Sequence, residues 1–212
     1  MHGYIHPTAL VESRYIGAGT RIWAFTHVMK DVIVGAECNI GSHCYLESGA
    51  KIGNRVTVKN GNYLWDGITI CDGAFIGPQV AFTNDKRPRS PRLPCAATRY
   101  ATDAWLSPTR VEEGASIGAA AVVVPGISLG QYCMVAAGSV VTTTVPPHAL
   151  VIGIPARIVG WVCCCGEKLP NIRSDGGCLQ CRYCPCEFKY TNGQPWLQSN
   201  PAENGTRVVQ SP

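Results

Sequence analysis

Residues 16–58 read IGAGTR IWAFTH VMKDVI VGAECN IGSHCY LESGAK IGNRVT V when broken into sixes. Every block opens on an aliphatic residue. The series runs from Ile16 through Ile22, Val28, Val34, Ile40, Leu46, Ile52, Val58, Leu64, Ile70 and Ile76 to Phe82, twelve positions with eleven aliphatic residues and one aromatic. It restarts at Val111 and continues through Ile117, Val123, Leu129, Val135 and Val141. Four places after most of these stand small or β-branched residues, among them Thr20, Thr26, Cys38, Cys44, Ala50, Ala74, Ala115, Ala121, Cys133 and Ser139. Glycine often follows the aliphatic residue directly, as at Gly17, Gly35, Gly53, Gly77 and Gly118. With about a third of positions large and apolar, chance produces the first run less than once in ~10⁵ trials.

A repeat of six suits neither a helix of period 3.6 nor a plain strand of period two. It suits a coil of short strands, one aliphatic side chain per strand pointing inward and glycine at the tight corners. Stacked coils pair at about 4.8 Å, so each inward residue lies over its counterpart in the next coil. Gly-rich antiparallel sandwich strands would lose phase well before twelve hexads. The expected fold is therefore all-β, a parallel β-helix.

Composition agrees. The 212 residues carry 15% charge, 46% hydrophobic residues, 23 Gly and 15 Pro. Disorder is excluded by the apolar content, and no apolar run approaches the roughly 20 residues of a membrane span. Met1-His2-Gly3-Tyr4 lacks a basic segment leading into an apolar one, and the cysteines do not read as a secreted disulfide framework. The expected compartment is the cytoplasm. The thin charge layer points to surface buried between subunits.

The hexads break between Phe82 and Val111, a gap of 29 that is not a multiple of six. The polar, Pro-rich stretch from Thr83 to Pro94 predicts an external loop over about 83–108, and loops on rigid scaffolds favour function. Residues 83–110 hold Lys86, Arg87, Arg89, Arg92, Arg99 and Arg110 against Asp85 and Asp103, a surplus equal to the +4 of the whole chain. This reads either as a site for an anion such as a diphosphate or as a merely solvated loop. Nucleic acid is not indicated, because no basic stripe with interleaved aromatics exists.

The hexads over residues 4–160 resemble the left-handed parallel β-helix of the hexapeptide-repeat acyltransferases. That resemblance implies three hexads per triangular coil, six to seven coils, and homotrimers with active sites between subunits. Val58-Lys59-Asn60-Gly61-Asn62, Asp72-Gly73-Ala74-Phe75-Ile76-Gly77-Pro78, and Phe82-Thr83-Asn84-Asp85 with Pro88-Arg89-Ser90 resemble bacterial nucleotide-sugar N-acetyltransferases. The enzymes acetylating the 3-amino group of a UDP-2-acetamido-3-amino-2,3-dideoxy-glucuronate are the nearest match, and relatives acting on dTDP-3-amino-3,6-dideoxyhexoses share most of these strings. Both make intermediates of bacterial surface polysaccharide such as O-antigen lipopolysaccharide. Val135-Ala136-Ala137-Gly138-Ser139-Val140-Val141 and Val151-Ile152-Gly153-Ile154-Pro155-Ala156-Arg157 resemble the acyl-CoA pattern of the superfamily.

From this resemblance Asn84 is expected to position the sugar amine at the thioester; an Asx turn is its structural alternative. Asn60, Asn62 and Arg89, with Lys59 secondary, are the nucleotide-sugar candidates. Ala119, Ala137 and Gly138 would admit the pantetheine of acetyl-CoA, with Pro155, Ala156 and Arg157 toward its adenosine. The loop holds none of the five histidines, His2, His6, His27, His43 and His148. A hydroxyl acceptor needs a positioned base, whereas an amine of pKa about 8 is already partly neutral at pH 7. The loop therefore favours an amine. Asp72 reads as a coil corner, His27 and His43 as packing or surface residues. A zinc hydratase on the same coil would need converging histidines that these spacings do not supply. O-acetylation and a non-catalytic trimeric scaffold are the competing readings.

Beyond Trp161 the composition changes: Cys163-Cys164-Cys165-Gly166, then Cys178-Leu179-Gln180-Cys181, Cys184 and Cys186. Two close cysteine pairs suit a structural Zn²⁺ with four thiolates. Relatives with a Cys-x-Cys-Gly knuckle map the ligands onto Cys163, Cys165, Cys178 and Cys181, while Cys164, Cys184 and Cys186 keep the set open; an unmetallated or oxidised tail is the alternative. The expected division is a β-helix over 1–160, a zinc-ribbon-like tail over 161–190 and a flexible end over 191–212.

Overall fold

In the computed structural model, which describes residues 3–170 and 176–200, the hexads become two-residue strands joined by corners. The strands sort into three parallel stacks. Tyr4–Ile5, Arg21–Ile22, Asn39–Ile40, Thr57–Val58, Phe75–Ile76, Ser116–Ile117, Met134–Val135 and Ala149–Gly153 form the first side of a triangular prism. Leu10–Val11 begins the second side, which ends at Val140–Val141; Tyr15–Ile16 begins the third, which ends at Ser128–Leu129. Six full turns result, then a seventh whose third side is the single bridge from Leu129 to Val145, then the first side of an eighth.

Register explains the beat. Arg21 pairs with Asn39 and Asn39 with Thr57, 18 residues apart, so each inward aliphatic side chain covers the one a turn below. Ile22, Ile40, Val58, Ile76 and Ile117 are all fully buried along the first side. The first turn is a residue short, with Tyr4 facing Arg21, which is why Ile5 and Val11 fall out of phase with Ile16. Dense burial of short aliphatic chains gives the coil its stability, at about 25 cal/mol per Å² of apolar surface removed from water. At the corners backbone meets backbone: a Cβ on Gly118 would stand 2.4 Å from the Ala137 nitrogen. Glycine is required there for closeness.

Thr69 pairs with Lys51, 18 residues before it, and with Arg110, 41 after it, so one turn carries 23 extra residues. These leave the prism between the second and third sides. They form a short helix at Pro94–Ala97 and two 3₁₀ turns at Thr98–Tyr100 and Asp103–Trp105.

After Gly153 the chain reverses, and Ala156–Val162 runs antiparallel to Ala149–Gly153 and to Lys168–Leu169. A separate antiparallel sheet of Cys178–Gln180, Glu187–Thr191 and Gln194–Ser199 follows, with its own core of Cys163, Leu169, Cys181, Cys186 and Phe188. Residues 191–199 are thus a strand and a turn rather than the flexible end expected from composition; the remainder of that expectation, 201–212, lies outside the described residues, as does His2. The cause is Asn192-Gly193, whose φ values of +53° and +71° close a two-residue hairpin. His148 joins tail to coil: it is buried, stacks on Tyr132 at 5.4 Å and meets Phe188 edge-on at 5.1 Å. Burial pushes its imidazole below the usual range, and its Nδ1 lies 3.0 Å from the Val162 carbonyl.

Candidate active site

Two adjacent edges of the prism carry the expected residues. Lys59, Asn60, Ala119, Ala137 and Gly138 all follow first-side strands, so they stack along the edge between the first and second sides. Backbone hydrogen bonds run up this edge: Gly61 N–H to Ser42 O, Gln79 to Asn60, Ala120 to Pro78 and Gly138 to Ala119, at 2.8–3.1 Å. The hairpin containing Pro155, Ala156 and Arg157 closes its end, with Gly153 N–H donating to Ser139 Oγ at 3.2 Å. Arg157 also lines a cavity of about 490 Å³ over the last turn with Thr142, Val145 and Ile158.

Asn84 stands on the neighbouring edge, at the root of the external loop. Its Nδ2 donates to the Asp66 carbonyl at 3.3 Å, which leaves Oδ1 as the acceptor of the amide, and its backbone carbonyl accepts from Ser107 N–H at 2.9 Å. Asp66 N–H donates in turn to Glu47 Oε2 at 2.9 Å. Next along the chain, Asp85 bridges Leu106 and zips the loop shut at its neck. The Asp85 carboxylate accepts from Arg99 at 2.5 and 3.1 Å, from Tyr100 Oη at 2.7 Å and from Arg87 N–H at 2.8 Å. Chiefly the Arg99 hydrogen bonds hold its carboxyl down at about 2. Spacing in the sequence does not reveal this clamp, because Asp85 and Arg99 meet only when the loop turns back on itself.

The clamp changes the meaning of the loop's basic surplus. Arg99 is bound to Asp85, and Arg110 to Glu112 at 2.7 Å. Lys86, Arg87, Arg89 and Arg92 remain as exposed cations. Arg89 donates its N–H to Tyr100 Oη at 2.9 Å, which ties it to the clamp.

Asn62 is corrected by its surroundings. Its side chain is wholly buried, donating to the Lys59 and Gly77 carbonyls at 2.6 and 2.9 Å and accepting from Val80 N–H at 3.0 Å. All its valences serve the corner, so it cannot touch a substrate. Asn60 is exposed; its Oδ1 accepts from Ser42 N–H at 3.1 Å, leaving its amide N–H groups outward. Asn60 lines a cavity of about 610 Å³ with His43, Tyr63, Gln79 and Ala81, three residues before Asn84. Nothing in the spacing of the sequence singles out Tyr63 or Gln79; the one signal is an outward aromatic, Tyr63, paired with the small Ala81. Lys59 holds its ammonium 6.0 Å from the Phe75 ring centre.

Among the described residues no histidine bonds or stacks with Asn84 or the loop. His27 pairs with Glu12 at 2.8 Å and His43 stacks on Phe25 at 5.0 Å. Asp72 accepts from both N–H groups of Asn54, which keeps its carboxyl low and confirms it as a corner residue.

In the tail the sulfurs of Cys163, Cys165, Cys181 and Cys184 lie within 4.8 Å of one another, whereas Cys178 is exposed on its strand and outside the group. The expected pair Cys178–Cys181 is replaced by Cys181–Cys184, because the turn after Gln180 carries Cys181 and Cys184 together under the Cys163 knuckle. Cys163 to Cys184 is 3.3 Å and Cys165 to Cys181 is 3.7 Å. Tetrahedral Zn²⁺ with bonds of about 2.3 Å needs sulfurs about 3.8 Å apart, so the donor set fits zinc. Burial pushes the Cys165 thiol up to about 12. At Cys184 burial pushes the thiol up, but hydrogen bonds from the Cys186 backbone and the neighbouring thiols together outweigh it and bring it to about 7.

A stacked hexad coil with an outward loop defines the class of hexapeptide-repeat transferases. Residues 15–48 match the family described as bacterial transferase hexapeptide (six repeats), and residues 108–143 the hexapeptide repeat of succinyl-transferase. The chain is 47% identical over 190 residues to the dTDP-3-amino-3,6-dideoxy-alpha-D-galactopyranose 3-N-acetyltransferase of Aneurinibacillus thermoaerophilus, spanning 90% of this chain and 92% of that one. It is 30% identical over 151 residues to the bifunctional protein GlmU of Thermosynechococcus vestitus, spanning 71% of this chain but 30% of the other. A galactoside acetyltransferase solved with coenzyme A has the same fold, at a TM-score of 0.50 and 22% identity over 62% of this chain and 64% of that one. The chain belongs to the hexapeptide-repeat family of nucleotide-sugar N-acetyltransferases.

Proposed function

We propose that the protein transfers the acetyl group of acetyl-CoA to the 3-amino group of a dTDP-linked 3-amino-3,6-dideoxyhexose. The observation that carries this is the 47% identity, over nearly the full length of both chains, to an enzyme named for that reaction. It moves the reading away from the UDP-linked glucuronate, which shares the same local strings.

The neutral amine attacks the thioester carbonyl, a C–N bond forms, the C–S bond breaks, and the amine's proton ends on the CoA thiol. Asn84 Oδ1 accepts a hydrogen bond from the amine and aims its lone pair; an amide cannot take the proton. Rate comes from proximity and from N–H donors to the oxyanion. Arg89 and the other loop cations meet the diphosphate, while Asn60 and Lys59 bind the sugar or base. Coenzyme A lies along the edge of Ala119, Ala137 and Gly138, with Arg157 at its adenosine end. Because that edge and Asn84 occupy different corners of one prism, the complete site is built between two copies of a homotrimer.

Incubation with acetyl-CoA and a panel of dTDP- and UDP-linked 3-amino sugars tests this, with products resolved by chromatography because the chain's free cysteines consume thiol dyes. Fastest turnover of a dTDP-linked 3-amino-3,6-dideoxyhexose is expected. Preference for the UDP-linked glucuronate, or acetylation only of hydroxyl acceptors, overturns it.

A further inference from the structure

Six of the tail's seven cysteines converge, and they do so as two groups sharing one member. Beside the four-sulfur group, the sulfurs of Cys163, Cys164 and Cys186 also lie within 4.8 Å of one another. Proximity in sequence does not explain this: Cys178 is three residues from Cys181, yet it is exposed and belongs to neither group. Cys163 and Cys186 are buried, and Cys164 is half-buried. Cys164 and Cys186 of the second group, together with Cys165 and Cys184 of the first, open on a cavity of about 520 Å³ between tail and coil, which Arg55, Glu113 and Asn200 also line. Asn200 Oδ1 accepts from Cys186 Sγ at 3.5 Å.

We propose that the tail binds a second thiophilic divalent cation, held by Cys163, Cys164 and Cys186, with Cys163 as a thiolate bridge to the ion in the four-sulfur site. Zinc–sulfur bonds of about 2.3 Å place sulfurs about 3.8 Å apart in a tetrahedral site, a spacing that sulfurs already within 4.8 Å of one another reach by contraction. The fourth position faces the cavity, where water, Asn200 Oδ1 or a Glu113 carboxylate oxygen can complete the shell. Each thiol releases its proton to solvent as the metal binds. Six thiolates around two divalent ions leave two negative charges, which the Arg55 guanidinium on the cavity wall, itself 3.7 Å from Asp72, opposes in part. A mononuclear tail explains four of these sulfurs and leaves Cys164 and Cys186 without a reason to converge.

The test uses the full-length protein, reduced, loaded with zinc alone, desalted and assayed for zinc per chain by mass spectrometry. About two equivalents are expected in the wild type and in Cys178→Ser. About one is expected in Cys164→Ser and in Cys186→Ser, each of which keeps the four-sulfur site and its fold. With cobalt alone as the probe, the thiolate-to-metal charge-transfer absorption should fall by nearly half in either variant. One equivalent in the wild type overturns the proposal, whether the remaining thiols are free or joined as a Cys164–Cys186 disulfide. Two equivalents retained in both serine variants also overturn it, since the second ion then lies elsewhere.

Discussion

In the proposed reaction Asn84 would act through the oxygen of its amide, since the nitrogen already bonds the fold. Its Nδ2 donates to the Asp66 carbonyl, which anchors the side chain and leaves the oxygen as its acceptor. Asn84→Ala is expected to lower kcat/KM about 100-fold with KM little changed, because misplacing a nucleophile costs rate on that scale. With no histidine bonded to it among the described residues, the proposed reaction leaves the pH dependence to the substrate: kcat/KM should climb as the amine deprotonates and level above about pH 8. A bell-shaped profile with a limb near pH 6.5 would instead implicate a histidine. Asp85 makes the complementary case. Its carboxyl lies below the unfolded value, at about 2, so its contribution to stability is complete above roughly pH 4 and is lost as pH falls from there toward 2. Asp85→Asn should lower Tm by about 2 °C at neutral pH, as expected for a half-buried pair on an external loop, and by progressively less below pH 4. Limited proteolysis of the 83–108 loop should quicken in the variant at pH 7. Unchanged cleavage would mean the clamp does not hold the neck.

Strands of two residues have almost no stability of their own, so the elements exist through stacking and stand or fall with their corners. Gly118→Ala puts a methyl 2.4 Å from the Ala137 backbone nitrogen, where no flexible side chain can yield. It should cost about 1–3 kcal/mol in denaturant unfolding and weaken coenzyme A binding, since Ala137 must move. Gly138→Ala meets nothing within 4 Å; its φ of +68° alone is strained, so it should cost about 1 kcal/mol. Equal losses would show that close approach is not what selects glycine here. The hexads were legible because one aliphatic residue per strand is all the core requires. The tail's ligands were half legible: Cys-x-Cys-Gly located one knuckle, but Cys178-x-x-Cys181 and Cys181-x-x-Cys184 have identical spacing and only the path of the turn separates them. Cys184→Ser should therefore abolish tight zinc binding at the four-sulfur site, measured by chelator competition, while Cys178→Ser leaves it intact.

At the scale of the whole molecule, the deciding fact is that a prism has edges, and one chain's Asn84 and Ala137 lie on different ones. Sequence spacing placed each residue on a corner but carried no information about which corner of which copy completes a site, because that depends on how prisms pack side by side. The outward residues Tyr63 and Phe75 are exposed in the single chain, so apolar surface is available for such packing. If each site takes its loop from one copy and its coenzyme edge from the next, two crippled proteins can repair one another. Asn84→Ala removes the loop group, and Ala137→Phe fills the coenzyme edge. Refolded separately, each keeps about a hundredth of wild-type activity or less; refolded together in equal amounts, random trimers place an intact loop against an intact edge at about one position in four. Recovery of roughly a quarter of wild-type activity in the mixture is therefore expected. Activity staying at the level of either parent, with mixed trimers demonstrated by mass spectrometry, would mean that each chain completes its own site, and the division between the two edges would need another explanation.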